Sequence, residues 1–81
     1  MPRTKVGVPP EQLIIEEELR KRYGGMMSAA AVGRELGLNR APGYTRWLDG
    51  LPYNEVNGRK KWTVRVVAQK IYETRVEPYD Y

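Results

Sequence analysis

The dipeptide Asn57-Gly58 is the feature that most constrains the fold of this chain. It lies between two runs rich in β-forming residues, LPYNEV before it and RKKWTV after it. Asn-Gly in this setting is the strongest short signal for a β-hairpin with a two-residue type I′ turn, because both turn residues must take positive φ. The turn also fixes the register of the two strands, in which Val56 faces Arg59, Glu55 faces Lys60, Asn54 faces Lys61 and Tyr53 faces Trp62.

Alternation along the two strands predicts a hairpin with two different faces. The apolar face carries Leu51, Tyr53, Trp62 and Val64, and the polar, basic face carries Asn54, Arg59, Lys61 and Thr63. Lys60 falls on the apolar face near the tip. We expect the apolar face to pack on the rest of the domain, which leaves the basic face to act as a wing.

Two short helices are expected directly before the hairpin. Ser28 is a good N-cap for AAAVGRELG, which Gly37 ends, and Asn39 is expected to cap the second helix, RAPGYTRWLD. Pro42 lies in the first turn of that helix, where its missing N–H costs little. Gly33 is a poor helix former, so we expect a close contact between the two helices at this position.

One further helix is expected on each side of this unit. The first runs from Pro10 to Tyr23, and the last begins at Val64 with Thr63 as its N-cap. The carboxylates of the first helix are expected on a solvated face. The expected core side chains are Ile15, Leu19, Tyr23, Val32, Leu36, Leu38, Tyr44, Trp47, Leu48, Leu51, Val64, Val67, Ala68 and Ile71.

The elements together predict an α+β fold, a winged helix-turn-helix with three to four helices and one β-hairpin wing. We expect the domain to span residues 10–75, with a basic arm over residues 1–9 and a tail over residues 76–81.

The composition argues against catalysis. The chain of 81 residues has no His and no Cys, and Ser28 is its only Ser. It therefore lacks an imidazole base, a thiolate nucleophile, Cys or His metal ligands and any Ser–His–Asp arrangement. We expect no enzyme activity, no cofactor and no bound metal. The absence of Cys fits the reducing cytoplasm, and no apolar run approaches the roughly 18 residues of a membrane span.

The charge distribution favours an acidic partner. The net charge is +4 and the pI is near 9.6, and residues 28–63 carry six basic and three acidic side chains, which accounts for +3 of that charge. Nucleic acid is the commonest partner of a small basic domain. Double-stranded DNA is the partner that a helix-turn-helix with a basic hairpin predicts.

Candidate DNA contacts come from three places. They are Asn39, Arg40, Gly43, Thr45 and Arg46 on the second helix of the pair, Asn57, Gly58, Arg59, Lys60 and Lys61 on the hairpin, and Arg3 and Lys5 on the arm. The first residues of a recognition helix lie nearest the base edges, and Arg can donate two hydrogen bonds to guanine O6 and N7. Gly43 would let the helix backbone approach the DNA closely. Cations on the hairpin and arm would contact phosphates or the minor groove.

From Tyr23 to Tyr72, the order SAAAVGRELGLNR, YTRWL, LPYNEVNGRKKWTV and AQKIYE resembles the small winged-helix excisionases of temperate phages and conjugative elements. This family is related to the DNA-binding head of the MerR regulators. The residues that match its pattern are Ser28, Val32, Gly37, Leu38, Arg46, Trp47, Gly58, Arg59 and Trp62. Pro42-Gly43 replaces the polar and aliphatic residues usual at the start of the recognition helix.

The resemblance implies a recombination directionality factor, which performs no chemistry. Such proteins bind tandem DNA sites, often cooperatively, and bend the DNA so that a tyrosine integrase assembles the excisive complex. Leu13, Ile14, Tyr79 and Tyr81 are candidates for contacts between protomers. Three alternatives stay open: a small phage or plasmid transcriptional regulator of the same fold, a DNA-packaging recognition subunit, and a protein-interaction adaptor whose basic hairpin meets an acidic partner.

Overall fold

The computed structural model describes residues 8–38 and 40–74. The elements, in chain order, are α1 (Pro10–Tyr23), β1 (Met26–Met27), α2 (Ala29–Leu36), α3 (Ala41–Leu48), β2 (Asn54–Val56), β3 (Arg59–Thr63) and α4 (Val64–Thr74). The strands form an antiparallel sheet in the order β1-β3-β2. The fold is α+β, as expected, and is compatible with a winged helix. The predicted contacts Arg3, Lys5, Asn39, Tyr79 and Tyr81 lie outside the described residues.

The β2–β3 hairpin has the register that its turn predicted. Val56 pairs with Arg59, Glu55 with Lys60 and Asn54 with Lys61. The turn residues Asn57 and Gly58 have φ of 52° and 77°, as a type I′ turn requires. The prediction of a tight hairpin is confirmed.

Strand β1 was not expected from the sequence. Met26 pairs with Thr63 and Met27 with Trp62, so β1 adds a third strand to the hairpin. The N–H of Val64 also donates to the carbonyl of Gly25 at 3.0 Å. The base of the hairpin is therefore fixed to the segment that leads into α2.

The ends of α2 and the start of α4 follow the sequence predictions. Ser28 Oγ accepts a hydrogen bond from the N–H of Ala31 at 3.1 Å, and Gly37 ends α2 in the left-handed conformation with φ of 76°. Thr63 Oγ1 accepts from the N–H of Val66 at 3.2 Å. Short polar side chains at these positions satisfy the first free N–H groups of each helix.

The expected start of α3 is wrong by one residue. The helix begins at Ala41, so the N-cap position belongs to Arg40, whose side chain makes no capping hydrogen bond. Arg40 has extended backbone, with φ of −117° and ψ of 143°, and its carbonyl accepts from the N–H of Gly43 at 3.0 Å. The chain therefore turns into the helix one residue later than a cap at Asn39 would place it.

The predicted close contact at Gly33 is present between α2 and α3. A Cβ placed on Gly33 would lie 2.2 Å from Cδ2 of Tyr44. Real Cβ atoms do not approach other heavy atoms this closely, so the two helices can be this near each other only because residue 33 has no side chain.

The core lies between the helices and one face of the sheet. Its buried side chains are Leu19, Met27, Ala31, Val32, Leu48, Trp62, Val64, Val67 and Ala68. Several other expected core residues, including Ile15, Tyr23, Leu36, Trp47 and Leu51, are partly buried against this cluster. Each of the four helices contributes to the core, which explains how so short a chain encloses one.

Helix α1 packs on α4 and buries two polar side chains, Gln12 and Glu16. Glu16 is only 6% exposed, which contradicts the expectation that the α1 carboxylates lie on a solvated face. Its carboxylate lies 2.9 Å from the Arg20 guanidinium and 4.0 Å from that of Arg65 on α4. A buried carboxylate needs such partners, and the partner on α4 is too distant in sequence to be read from the helix alone.

The apolar face of the hairpin is only partly covered. Trp62 is 6% exposed and Tyr53 is 50% exposed, and Val56, which lies beside Arg59 on the opposite, basic face, is 39% exposed. The hairpin is thus anchored at its base and accessible on both faces near its tip. No helix among the described residues is both long and apolar enough to cross a lipid bilayer.

Candidate nucleic-acid interface

Helix α3 has an inner and an outer face. Leu48 is buried, and Tyr44 and Trp47 are half-buried against the domain. The predicted contacts on this helix, Arg40, Gly43, Thr45 and Arg46, are all exposed. The outer face therefore carries one guanidinium at its N-terminal end and another in its last turn.

Lys70 of α4 holds the C-terminal end of α3. Its Nζ donates to the carbonyl of Trp47 at 2.6 Å and lies 5.0 Å from the centroid of the Trp47 ring. The carbonyls of a last helical turn have no partner within the helix and carry its negative partial charge, so an ammonium group binds them favourably. Sequence reasoning missed Lys70, because no local pattern links residues 23 positions apart.

The hairpin presents its cations close to the tip. Arg59 and Lys60 are exposed and Lys61 is half-buried. Lys60 lies over the Tyr53 ring, with Nζ 4.8 Å from the ring centroid. Tyr53 in turn contacts Trp62 at a centroid distance of 6.0 Å. Lys60, which was predicted on the apolar face of the hairpin, therefore contacts the predicted aromatic pair and remains exposed.

Three cations on α1 and α4 are paired with carboxylates. Arg22 lies 2.6 Å from Glu35 and 3.7 Å from Glu18, and Arg20 and Arg65 both approach Glu16. The Arg22–Glu35 pair joins α1 to α2, and the Arg65–Glu16 pair joins α4 to α1. The charge of these three cations is partly balanced within the domain.

The cations of α3 and of the hairpin's basic face lack such partners. Within residues 8–38 and 40–74, no ion pair to a carboxylate involves Arg40, Arg46, Arg59 or Lys61. Lys21 on α1 and Arg34 on α2 are the other exposed cations with neither a carboxylate nor a ring contact in this part of the chain. Four of these six cations therefore belong to the surface formed by α3 and the hairpin.

A groove of about 550 Å³ lies between α3, the start of α2 and the hairpin. We call it the α3–hairpin groove. Its lining residues are Ser28, Ala29, Ala30, Thr45, Leu48, Asp49, Gly50, Leu51, Tyr53, Arg59, Lys60 and Trp62. The groove brings Thr45 of the helix together with Arg59 and Lys60 of the hairpin, whereas Arg40 and Gly43 lie beyond it, towards the other end of α3.

Helix α1 is tied to α2 at its last turn. The hydroxyl of Tyr23 donates to Glu35 at 3.0 Å, and the Arg22 guanidinium donates to the same carboxylate at 2.6 Å. Burial, together with this hydrogen bond and the nearby negative charge, raises the pKa of Tyr23 above its ordinary value. The hydrogen bond that Arg22 itself donates to Glu35, together with the charge of that carboxylate, raises the pKa of Arg22. Both effects favour the protonated forms that make this contact.

Comparison with known proteins gives no match to a family model, to a curated protein or to a solved structure.

Proposed function

We propose that this chain is a sequence-specific double-stranded DNA-binding protein, in which α3 enters the major groove and the β2–β3 hairpin acts as a wing. The proposal rests on the distribution of unpaired positive charge. Arg40, Arg46, Arg59 and Lys61 lack carboxylate partners within the described residues. Phosphates are the partner that such a surface attracts most strongly.

The two parts of this surface differ in what they can recognise. Arg40 and Arg46 are exposed on a helix, where a guanidinium can donate two hydrogen bonds to a guanine and discriminate bases by about 1–3 kcal/mol. Arg59 and Lys61 lie on a hairpin whose cations would add affinity through phosphates or a narrow minor groove. The helix would therefore select the sequence, and the hairpin would strengthen binding to any sequence.

The biological role that we propose is that of a recombination directionality factor. The support is the resemblance of residues 23–72 to small winged-helix excisionases, together with the helix, turn, hairpin and closing helix in the expected order. Such a factor would bend DNA beside an attachment site so that a tyrosine integrase performs excision. Bending a site of 20–30 bp costs roughly 1–6 kcal/mol, which several cooperating protomers with phosphate contacts could offset.

The test is a gel-shift titration against DNA from the flanks of the encoding gene, at two salt concentrations and with nonspecific competitor. We expect stepwise, cooperative bands on DNA beside an integrase attachment site, with affinity that falls steeply as salt rises. A single band on promoter DNA would instead identify a transcriptional regulator. No shift at low salt would refute DNA binding and leave the interaction adaptor as the explanation for the basic hairpin.

A further inference from the structure

We propose that the α3–hairpin groove seats one sugar–phosphate strand of the duplex, namely the strand that separates the major groove holding α3 from the minor groove facing the hairpin tip. This inference rests on the proposed function and adds a binding site to it. The site uses residues outside the predicted contact set, chiefly Ala30, Asp49, Tyr53 and Trp62.

The topology of B-DNA gives the first argument. Adjacent major and minor grooves are separated by a single sugar–phosphate strand, so two elements in neighbouring grooves must straddle that strand. Thr45 and Leu48 of α3 line one wall of the groove, and Arg59 and Lys60 of the hairpin line another. If α3 and the hairpin bind as proposed, the concave surface between them is where the strand must lie.

The lining suits the chemistry of that strand. Leu48, Leu51 and Trp62 form an apolar floor beside the half-exposed ring of Tyr53, which can pack against the apolar edges of deoxyribose. Lys60, held over the Tyr53 ring with Nζ 4.8 Å from its centroid, and Arg59 place positive charge at the rim, where a phosphate would sit. An apolar floor with a cationic rim complements alternating sugars and phosphates.

The start of α2 offers a strand an accessible backbone. Ala29 and Ala30 line the groove there with side chains of one carbon each, so nothing bulky shields the backbone. The Trp62 indole also lines the groove, although its N–H is buried and has no hydrogen-bond partner within the described part of the chain. A strand in the groove would pass over the Trp62 ring and change the surroundings of that N–H.

Asp49 is the single carboxylate among the residues that line the groove. Its negative charge opposes a phosphate, so Asp49 would weaken binding to every DNA sequence. Replacing Asp49 with Asn should therefore tighten binding to specific and nonspecific duplexes alike and leave base preference unchanged.

The sharpest test is Ala30→Glu. Ala30 is exposed at the second position of α2, where a carboxylate interacts favourably with the helix dipole, so this variant should fold at least as well as the unaltered protein. The added charge would face the phosphates, and we expect affinity for specific and nonspecific duplexes to fall about tenfold.

Two variants are matched controls for Ala30→Glu. Ala30→Gln adds the same bulk without charge, and Lys21→Gln makes the same change in net charge on α1. Each should lose less than about threefold in affinity if the effect belongs to the groove. If Ala30→Glu and Lys21→Gln lost affinity equally, the effect would come from net charge alone, and the inference would be overturned.

The indole N–H resonances give a second readout on the unaltered protein. Trp62 lines the groove and Trp47 does not, and Trp47→Phe would assign the two signals. We expect added duplex to shift the Trp62 resonance strongly. The groove assignment would be overturned, and DNA binding would stand, if the protein bound duplex without a shift of this resonance and Ala30→Glu bound as tightly as the unaltered protein. If the unaltered protein binds no duplex, the proposed function fails and the groove assignment fails with it.

Discussion

Two glycine-to-alanine substitutions on neighbouring helices should change stability in opposite directions. At Gly33, a Cβ would lie 2.2, 2.8 and 2.9 Å from three ring carbons of Tyr44. At Gly43, the nearest atoms belong to Leu38 and lie at 3.8 and 3.9 Å, which is ordinary van der Waals contact. The same chemical change therefore creates a severe overlap at one site and none at the other.

The magnitudes follow from this difference. Relief of the overlap at Gly33 requires the Tyr44 ring or the two helices to move by about an ångström, and overpacking this severe costs about 2–3 kcal/mol, the upper part of the usual range. At either site, replacing glycine by alanine stabilises the helix by up to about 1 kcal/mol, because alanine has the higher helix propensity. We therefore expect Gly33→Ala to lower the free energy of unfolding by about 1–2 kcal/mol and Gly43→Ala to raise it by about 0.5–1 kcal/mol.

Urea denaturation followed by far-UV circular dichroism measures both changes. Tyr44→Ala supplies the control, because Gly33→Ala should become neutral or stabilising once the ring is removed. If Gly33→Ala were as stable as the unaltered protein in the presence of Tyr44, the close packing of α2 on α3 would be refuted. Gly43→Ala adds a functional readout: if the backbone of α3 approaches base edges, this variant should be more stable yet bind specific DNA more weakly.

Three further sets of variants test the interface, and a fourth tests the attachment of α1. Arg46→Ala should weaken specific binding by about 1–3 kcal/mol and relax preference at one base pair in a binding-site selection; equal losses on all sequences would make it a phosphate contact. Arg59→Ala combined with Lys61→Ala should weaken binding to every sequence and reduce the slope of log affinity against log salt by about 2; an unchanged slope would exclude the hairpin from the interface. Lys70→Met should increase amide exchange in the last turn of α3 and lower the ratio of specific to nonspecific affinity, whereas Lys70→Arg should largely restore both. The pKa of Tyr23 is raised in the fold, so its contribution to stability is present below its ordinary pKa of about 10 and is lost as pH rises past that value. Tyr23→Phe should therefore flatten the fall in the free energy of unfolding at alkaline pH. An identical fall in the variant would refute the coupling.

The parts of the fold that depend on neighbouring residues could be predicted from the sequence. Asn57-Gly58 alone determines the hairpin register, and Ser28 and Thr63 cap their helices through bonds three residues away. The close approach at Gly33 was also predictable, because glycine within a short helix costs stability that packing must offset.

The parts that depend on distant partners could not be predicted. Met26 and Met27 form a strand only because β3 lies beside them, and a two-residue strand has no periodicity to detect. Glu16 is buried because α4 covers it. The candidate contacts on α3 and the hairpin were identifiable as exposed basic residues, but the groove between them is visible only when the elements are assembled.

The most direct test of DNA binding through α3 and the hairpin is an amide chemical-shift titration of the ¹⁵N-labelled protein with duplex from the flanks of its gene. We predict that the shifted amides lie on α3, on the β2–β3 hairpin and at the first residues of α2. Amides on the outer face of α1 should stay unchanged. Shifts confined to α1 or α4, or no shifts with duplex present in excess, would contradict the proposed interface.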